Sequence, residues 1–414
     1  MPRPIRICHV ITRLIVGGAQ ENTLYTAIGQ HRNPAFEVTL IAGIDHGREG
    51  NLHDRAHAAG VNLRLTPLLV RPIRPVTDLR AHLELYRIFR AGQFDVVHTH
   101  SSKAGIVGRV AARMAHVPVV IHTLHSLVFH KYQSEVANQV YIRLKRRCAA
   151  FTDVLISVND QTAKGAIAER IGRPEQHVTI HSGMELEPFL TIGDRLSAAD
   201  AKRRLGIAPE ALVVGKVARL FPLKGHDQFL EAAVRIAAGQ PRAKFLLVGD
   251  GSLRDSLEAR ARTLGIHDRL VFAGLVSPEE IPVCFQAMDV VVHTSLREGI
   301  ARVLPQAGTV GKPVVTFDLD GAPEVIKDGV SGYLVPPLDT AALAERVLEL
   351  LADPDRRAAF GRAGRTFATE HFSADLMVRR INEVYFSQLS RRQQLDELAA
   401  LPIQGIDRNS GALN

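Results

Sequence analysis

Tryptophan is absent from this 414-residue chain, tyrosine occurs six times and cysteine only three times. With so few aromatic rings there is little for nucleic-acid bases to stack on, and no helix-turn-helix, RNP or zinc-finger signature replaces them. The net charge of +8 therefore reads as attraction to phosphorylated substrates or an anionic membrane surface, with no nucleic-acid partner. Cys8, Cys148 and Cys284 are widely spaced and form no CxxC pair. That excludes a disulfide framework or zinc ribbon and fits a reducing cytosol. No apolar run reaches the roughly 18 residues needed to span a bilayer. Met1 to Val16 carries basic residues before an apolar stretch, but Arg6, His9 and Arg13 interrupt it and no small-residue cleavage site follows. A first buried strand is expected there rather than a signal peptide.

What is present is repetition. Apolar β-branched runs occur at Ile5–Val10, Glu37–Ile41, Val61–Leu65, Asp95–His98, Pro118–His122 and Asp153–Ser157. A second set lies at Leu212–Val217, Lys244–Val248, Leu270–Phe272, Val290–Thr294, Pro313–Phe317 and Gly332–Val335. Helical patterns such as Asp78–Arg90, Lys103–Ala115, Asp227–Ala238 and Thr340–Leu351 separate them. Uniformly apolar strands alternating with helices predict parallel sheets covered on both faces, and two sets predict two doubly wound, Rossmann-like α/β domains facing across a cleft. The expected division is 1–190, 191–372, a last helix over 373–400 packing back across the domains, and a disordered tail over 401–414. The polar segment from Pro188 to Ala199 is the linker candidate.

The richest stretch is Thr294-Ser-Leu-Arg-Glu-Gly-Ile-Ala-Arg-Val-Leu-Pro-Gln306. It reads as a strand end, a turn carrying Glu298 and Gly299, and a helix beginning near Ile300. A helix start offers unpaired N–H groups and partial positive charge to an anion. Glu298 beside it would repel a bare phosphate but is a good acceptor for sugar hydroxyls. The combination fits a ligand that is phosphate at one end and sugar at the other. Arg219 and Lys224 follow the first strand of the second set, where two cations can neutralise a diphosphate. Either one alone reads equally as a solvated loop charge. Gly17 and Gly18 follow the chain's first strand and permit close backbone approach by a ligand. They do not make a GxGxxG, and no acidic residue closes the second strand as a nicotinamide ribose would need.

Histidines crowd the first half: His98, His100, His116, His122, His125 and His130. His98 and His100, two apart at a strand end, point the same way. No carboxylate or cysteine joins them at ligand spacing, so polar substrate contacts are the expected role, with His125 best placed, and no metal site is expected. The basic stretch Lys131–Arg147, with Arg143, Lys145, Arg146 and Arg147, fits either a helix lying on anionic lipid or a packed helix with a charged outer face.

Taken in order, the pieces resemble retaining glycosyltransferase family 4, the group 1 glycosyltransferases of GT-B fold. The resemblance runs from Gly17-Gly-Ala-Gln20 to about Phe372, through Asp95-Val-Val-His-Thr-His-Ser-Ser-Lys-Ala-Gly105, Val119-Val-Ile-His-Thr-Leu-His-Ser126 and Val217-Ala-Arg-Leu-Phe-Pro-Leu-Lys-Gly225. It continues in Val248-Gly-Asp-Gly251, Phe272-Ala-Gly-Leu-Val276, Glu298-Gly-Ile-Ala-Arg-Val-Leu304, Pro323-Glu-Val-Ile326 and Asp328-Gly-Val-Ser-Gly-Tyr-Leu-Val335. The resemblance implies transfer of a sugar from a UDP-, GDP- or ADP-sugar to a glycan or lipid-linked acceptor hydroxyl, with retention and no metal or other cofactor. It implies surface polysaccharide or glycolipid synthesis in the cytoplasm, at the inner face of the membrane, with peripheral contact to anionic lipid.

By the same resemblance, Arg219 and Lys224 hold the diphosphate, Glu298 the sugar hydroxyls, and Gly299 and Ile300 offer backbone N–H groups. Gly18 and Gly249 approach the donor, Val276 flanks the base, and His125 lies beside the reacting carbon. His98, His100 and Ser101 join His125 on the acceptor side. One position departs: Gln306 stands where many relatives carry a ribose-binding Glu, which replaces a charge-assisted bond with a neutral one. That leaves a non-catalytic GT-B binding subunit as the alternative. A nucleotide-sugar epimerase is another, although the first domain shows no acid–base carboxylate pair for it.

Overall fold

The computed structural model describes residues 3–44, 50–129 and 133–400. His130 and the Lys131–Tyr132 start of the basic stretch lie outside these residues, as does the tail expected over 401–414. Seven parallel strands make the first sheet: β1 (Ile5–Ile11), β2 (Phe36–Gly43), β3 (Asn62–Thr66), β4 (Val96–His100), β5 (Val119–Leu124), β6 (Val154–Ser157) and β7 (His177–Thr179). Their order is β3-β2-β1-β4-β5-β6-β7. Six more make the second: β8 (Leu212–Val217), β9 (Ala243–Val248), β10 (Leu270–Gly274), β11 (Val290–His293), β12 (Val314–Phe317) and β13 (Gly332–Val335), in the order β10-β9-β8-β11-β12-β13. In both sheets the strand order reverses direction beside the first strand, between β1 and β4 and between β8 and β11. That switch point opens a crevice at the strand C-ends, where such folds bind ligands.

The strands are apolar because helices cover both faces. On one face of the first sheet Ile7, Ile11, Val96 and Ile121 pack with Leu24 and Ile28 of the helix Gly18–His31 and with Met377, Ile381 and Tyr385 of the last helix, Ala374–Ala400. On the other face Cys8, Val10, Val97 and Val120 meet Leu85 and Phe89 of the helix Pro75–Gly92 and Ala111 of the helix Ser102–Met114. The second sheet is covered likewise by two large apolar clusters around Phe229, Phe245 and Leu350, and around Leu246, Phe285 and Leu304.

The segment read as a linker is folded. It forms the helical turns Glu187–Leu190, Ile192–Arg195 and Ala198–Arg204, and Ile192 and Ala201 pack on Val283 and Ala287 of the second domain. The chain passes between the domains a second time near Phe372, beside the first passage. Met184 N–H donates to Phe372 O and Ala374 N–H to Met184 O, both at 2.9 Å. From there the last helix runs along the first domain, against the helix Gly18–His31.

One polar stripe interrupts the first domain's apolar face. The β1–β4 register places His9 beside His98, and alternation adds His100 on the same side. All three are fully buried. His98 bonds Tyr385 Oη through Nδ1 at 2.5 Å and Thr123 Oγ1 through Nε2 at 2.7 Å. The last helix is thereby tied to the strand beside the crevice. Burial pushes the His9 imidazolium down to about 4 and His98, His100 and His122 well below their usual range.

Two outcomes follow. Tyr385→Phe leaves His98 Nδ1 without a partner and costs about 1–3 kcal/mol, read as a lower urea midpoint at unchanged slope. Below about pH 6.5 the unfolded chain also takes up protons that the folded core refuses. Stability present above that pH is lost progressively as pH falls toward about 4, the depressed value at His9. A urea midpoint that stays flat from about pH 6.5 to pH 5 would mean that these imidazoles protonate inside the fold.

Candidate functional site

The loop after β8 carries Arg219 and Lys224 into the helix His226–Gly239, and the loop after β11 carries Glu298 and Gly299. β8 and β11 are paired neighbours, so the two loops leave the sheet side by side. They are locked together at Gly225, whose φ of +66° holds it against Thr294, where a Cβ would lie 1.8 Å from the carbonyl oxygen. Lys224 Nζ forms an ion pair with Glu298 Oε1, both side chains about one-quarter exposed. Beneath them Lys216 is buried and donates to Thr294 Oγ1 at 2.7 Å. Burial, and then the Lys224 charge, push its ammonium down to about 7. Arg219 is exposed at the rim with its guanidinium 5.5 Å from the Phe221 ring centre.

Backbone positions are set as firmly. Glu298 N–H donates to Asp320 at 2.6 Å, and burial raises that carboxyl above its usual range. The first domain closes over this loop at Gly299, where a Cβ would come within 2.2 Å of His125 O. His125 thus stands directly across from Glu298's neighbour, and the cleft brings the two together. Its imidazole is pushed down to about 4 by burial and, secondarily, by Lys145, so it is neutral near pH 7. Ser101, with φ of +61°, is held at the start of the helix Ser102–Met114 by Thr12 Oγ1 at 2.7 Å. Just after β10, Leu275 and Val276 border a cavity of about 470 Å³ shared with Arg204, Ser277 and Glu280.

Several expectations are corrected. The helix after Glu298 begins at Val303, not near Ile300. Gly299 is instead pressed against the first domain, Ile300 and Ala301 pack with Phe285 and Leu304 in the second domain's core, and the residue at the helix N-cap is Arg302. His98 is not an acceptor contact, because it is enclosed and both ring nitrogens are occupied. His100 is enclosed too, between His9 Nδ1 at 3.1 Å and His125 Nε2 at 3.2 Å. Ligating atoms of His9, His98 and His100 lie within 4.8 Å of one another, but each of these ring nitrogens already has a hydrogen-bond partner. Gly249 spends its N–H on Gly274 O at 2.9 Å. A Cβ there would meet Ala218 O at 2.1 Å, so Gly249 seats the Arg219 loop rather than offering a donor N–H. Lys145, read on the charged outer face of its helix, turns inward and is buried.

Arg302 is not among the residues singled out by the motif, yet it reaches across the cleft. It pairs with Glu21 of the helix Gly18–His31, and its Cδ lies 3.4 Å from where a Gly18 Cβ would be. Its buried Nε has no partner. Glu324 joins the domains elsewhere, accepting from the Asp160 and Gln161 N–H groups at 2.9 and 3.2 Å and from His181 Nε2 at 2.9 Å. Both signals were present as charges within the quoted motifs, but partners in the other domain cannot be read from spacing.

Comparison with known proteins gives this geometry a family. The sequence description "Glycosyl transferase 4-like domain" matches residues 17–183 and "Glycosyl transferases group 1" matches residues 197–367. The chain is 30% identical over 353 residues to the Escherichia coli UDP-Gal:alpha-D-GlcNAc-diphosphoundecaprenol alpha-1,3-galactosyltransferase, covering 84% of this chain and 88% of that one. It is 31% identical over 361 residues to the D-inositol 3-phosphate glycosyltransferase of Acidothermus cellulolyticus, covering 81% and 78%. Among solved structures, Anabaena HepE in complex with UDP and glucose superposes with a TM-score of 0.79 at 23% identity, covering 92% of this chain and all of that one. The chain belongs to the group 1, family 4-like glycosyltransferases and is a transferase of GT-B fold.

Proposed function

We propose that this glycosyltransferase moves a sugar, with retention of configuration, from a nucleotide diphosphate sugar to a hydroxyl of a lipid-linked glycan in surface polysaccharide or glycolipid synthesis. The observation that carries the reading is the Lys224–Glu298 pair, on a loop whose next residue, Gly299, meets the His125 carbonyl across the cleft. Without donor the two charges satisfy each other. A donor offers each a better partner, its diphosphate for Lys224 and its sugar hydroxyls for Glu298. Arg219, Arg302 and the N-terminus of the helix Gly18–His31 add positive potential where the leaving diphosphate gains charge.

In the step proposed, the bond from the anomeric carbon to the diphosphate oxygen breaks as the acceptor oxygen bonds to that carbon from the same face. The acceptor proton passes to the departing phosphate oxygen, so no enzyme base is required. Arg219, Lys224 and Arg302 supply the charge neutralisation a metal would otherwise provide, and we propose that none is needed. Closure of the domains over the cleft limits donor hydrolysis. The E. coli relative's diphosphoundecaprenol acceptor and HepE's bound UDP support the classes of acceptor and donor.

A lipid-linked acceptor calls for a membrane face. No helix of the described residues is long and apolar enough to cross a membrane. The first domain instead exposes Val76 and Leu79 on the helix Pro75–Gly92 and Val136 and Val140 on the helix Glu135–Ala149. Exposed Arg80, Arg87, Arg143 and Arg147 stand among them. Apolar anchors mixed with arginines suit peripheral docking on anionic lipid at the inner face of the cytoplasmic membrane.

The donor reading is tested by thermal stabilisation and product formation with UDP-, GDP- and ADP-sugars. One nucleotide family should stabilise the protein, by roughly 2.7 kcal/mol at a hundredfold its dissociation constant. Lys224→Ala should abolish most of that gain, Glu298→Ala should lower turnover by about a hundredfold or more, and the product should keep the donor's anomeric configuration by NMR. Inversion, or no response to any donor, rejects the reading and favours the non-catalytic one. Docking is tested by sedimentation with vesicles of phosphatidylglycerol against phosphatidylcholine. Binding should favour the anionic vesicles, weaken with salt and fall in Leu79→Asp and Val140→Asp. Equal binding to both lipids would reject an electrostatic membrane face.

A further inference from the structure

A line of hydrogen bonds leads from the last helix to the cleft and ends on His125. Gln30 is buried, and its amide nitrogen donates to Asn382 Oδ1 at 2.9 Å. Its Oε1 therefore faces His9 Nε2, at 2.7 Å. His9 Nδ1 lies 3.1 Å from His100 Nε2, and His100 Nδ1 lies 3.2 Å from His125 Nε2. Successive rings are near parallel, with centres 5.4 Å apart and interplanar angles of 28° and 30°. Among the described residues, His125 Nδ1 makes no hydrogen bond within the protein.

A neutral imidazole carries one N–H and one lone pair, on opposite nitrogens. Such rings in a row transmit a direction. Gln30 Oε1 can only accept, so the His9 proton sits on Nε2 and its Nδ1 is a lone pair. His100 must then donate from Nε2 and accept at Nδ1, and His125 must donate from Nε2. The line leaves a lone pair on His125 Nδ1. A proton on the wrong nitrogen anywhere would set two donors or two lone pairs against each other inside the core, an unmade buried bond. Burial keeps the rings neutral, so the direction is not erased by protonation near pH 7.

We propose that Gln30, His9 and His100 are positioning residues that lock His125 in its Nε2–H tautomer, so that Nδ1 meets the substrate as a hydrogen-bond acceptor. This rests on the transferase reading only for what His125 meets, a sugar hydroxyl that must donate. The lock itself is a property of the protein alone. It makes the cleft selective for a hydroxyl over a fluorine or a hydrogen at the position His125 touches, since neither can donate.

The test is the tautomer of His125 in the full-length protein, read from nitrogen-15 shifts and two-bond N–H correlations at about pH 7.5 and assigned with His125→Gln. Wild type should give a single Nε2–H form. Gln30→Leu, which removes the fixed acceptor, should give a mixture and raise the donor KM about three- to tenfold with little change in kcat. Gln30→Glu presents an acceptor oxygen to His9 whether ionised or protonated, and should restore the single form. Should Gln30→Leu fail to fold, Asn382→Leu at the half-buried end of the line frees the Gln30 amide to turn and should also give a mixture. An Nδ1–H form or a mixture in wild type overturns the proposal, as does a tautomer unchanged in the leucine variants. The spectrum needs no substrate, so a failed donor screen beside a single Nε2–H form sinks the proposed donor reading and leaves the lock standing.

Discussion

At Gly299 there is no room for a methyl group. The carbonyl oxygen of His125 occupies the place, 2.2 Å from where a Cβ would be, with Val158 Cγ2 at 3.2 Å on another side. Contact between the domains at the centre of the cleft depends on this missing side chain. Because the loops after β5 and β11 touch there, His125 and Glu298 become neighbours although 173 positions separate their numbers, 298 less 125. The flanking contacts follow from the same approach. Arg297 reaches the Leu127 carbonyl, Arg302 reaches Glu21, and Glu324 caps the N-terminus of the helix Asp160–Ala168. A carboxylate at a helix start is favoured by the helix dipole, so Glu324 holds the domains together without burying an unpaired charge. Any larger residue at 299 would hold the domains apart and dissolve this set at once.

The same closure dictates how charge is managed. The loops around the cleft are cationic, with Arg219, Lys216, Lys224 and Arg302, and the neighbouring Lys216 and Lys224 repel one another. In this structure Lys224 is matched by Glu298 and Arg302 by Glu21, while Lys216 is relieved by burial, which lowers its ammonium to about 7. On the donor reading proposed above, a diphosphate carries more charge than either carboxylate, and an exchange of partners would free Glu298 for hydroxyl groups. Arg302 and Glu21 belong to different domains, and their exchange would also loosen one of the ties that hold the cleft shut.

Much of this fold was legible in the sequence. The β-branched runs such as Leu212–Val217 and Gly332–Val335 are strands with those bounds, because a strand covered on both faces must be apolar throughout. β7 escaped because His177–Thr179 is three residues long and only half-buried, too short for any period to register. At the site, pattern gave neighbours within a loop but not direction. His98 and His100 do share a face, yet a period of two does not say whether that face looks into the crevice or into the core. It looks into the core, where the last helix covers it. The helix start misplaced at Ile300 has the same origin: Gly299 to Ala301 look like a helix opening, but Gly299 is pressed against the other domain and Ile300 and Ala301 turn into the second domain's core. Lys145 lies on an amphipathic helix whose outer face is otherwise charged, and only the position of Arg109 and Cys148 beneath it shows it turned inward.

The last helix binds these themes together. It returns from the second domain to the first and supplies Tyr385 to His98 and Asn382 to Gln30. Without it, His98 Nδ1 and the Gln30 amide nitrogen would face solvent or nothing, and the stripe of polar groups in the β1–β4 face would be uncovered. A histidine-rich strand face is costly to bury, since every ring nitrogen needs a partner in a dry core. An apolar face would have packed against the same helix at lower cost. What the polar face adds is direction: each hydrogen bond has a donor end and an acceptor end, and a row of them can reach the cleft where a row of leucines would end at packing. The core of the first domain thus carries orientation as well as stability, and the chain spends its final helix on sealing that line from water.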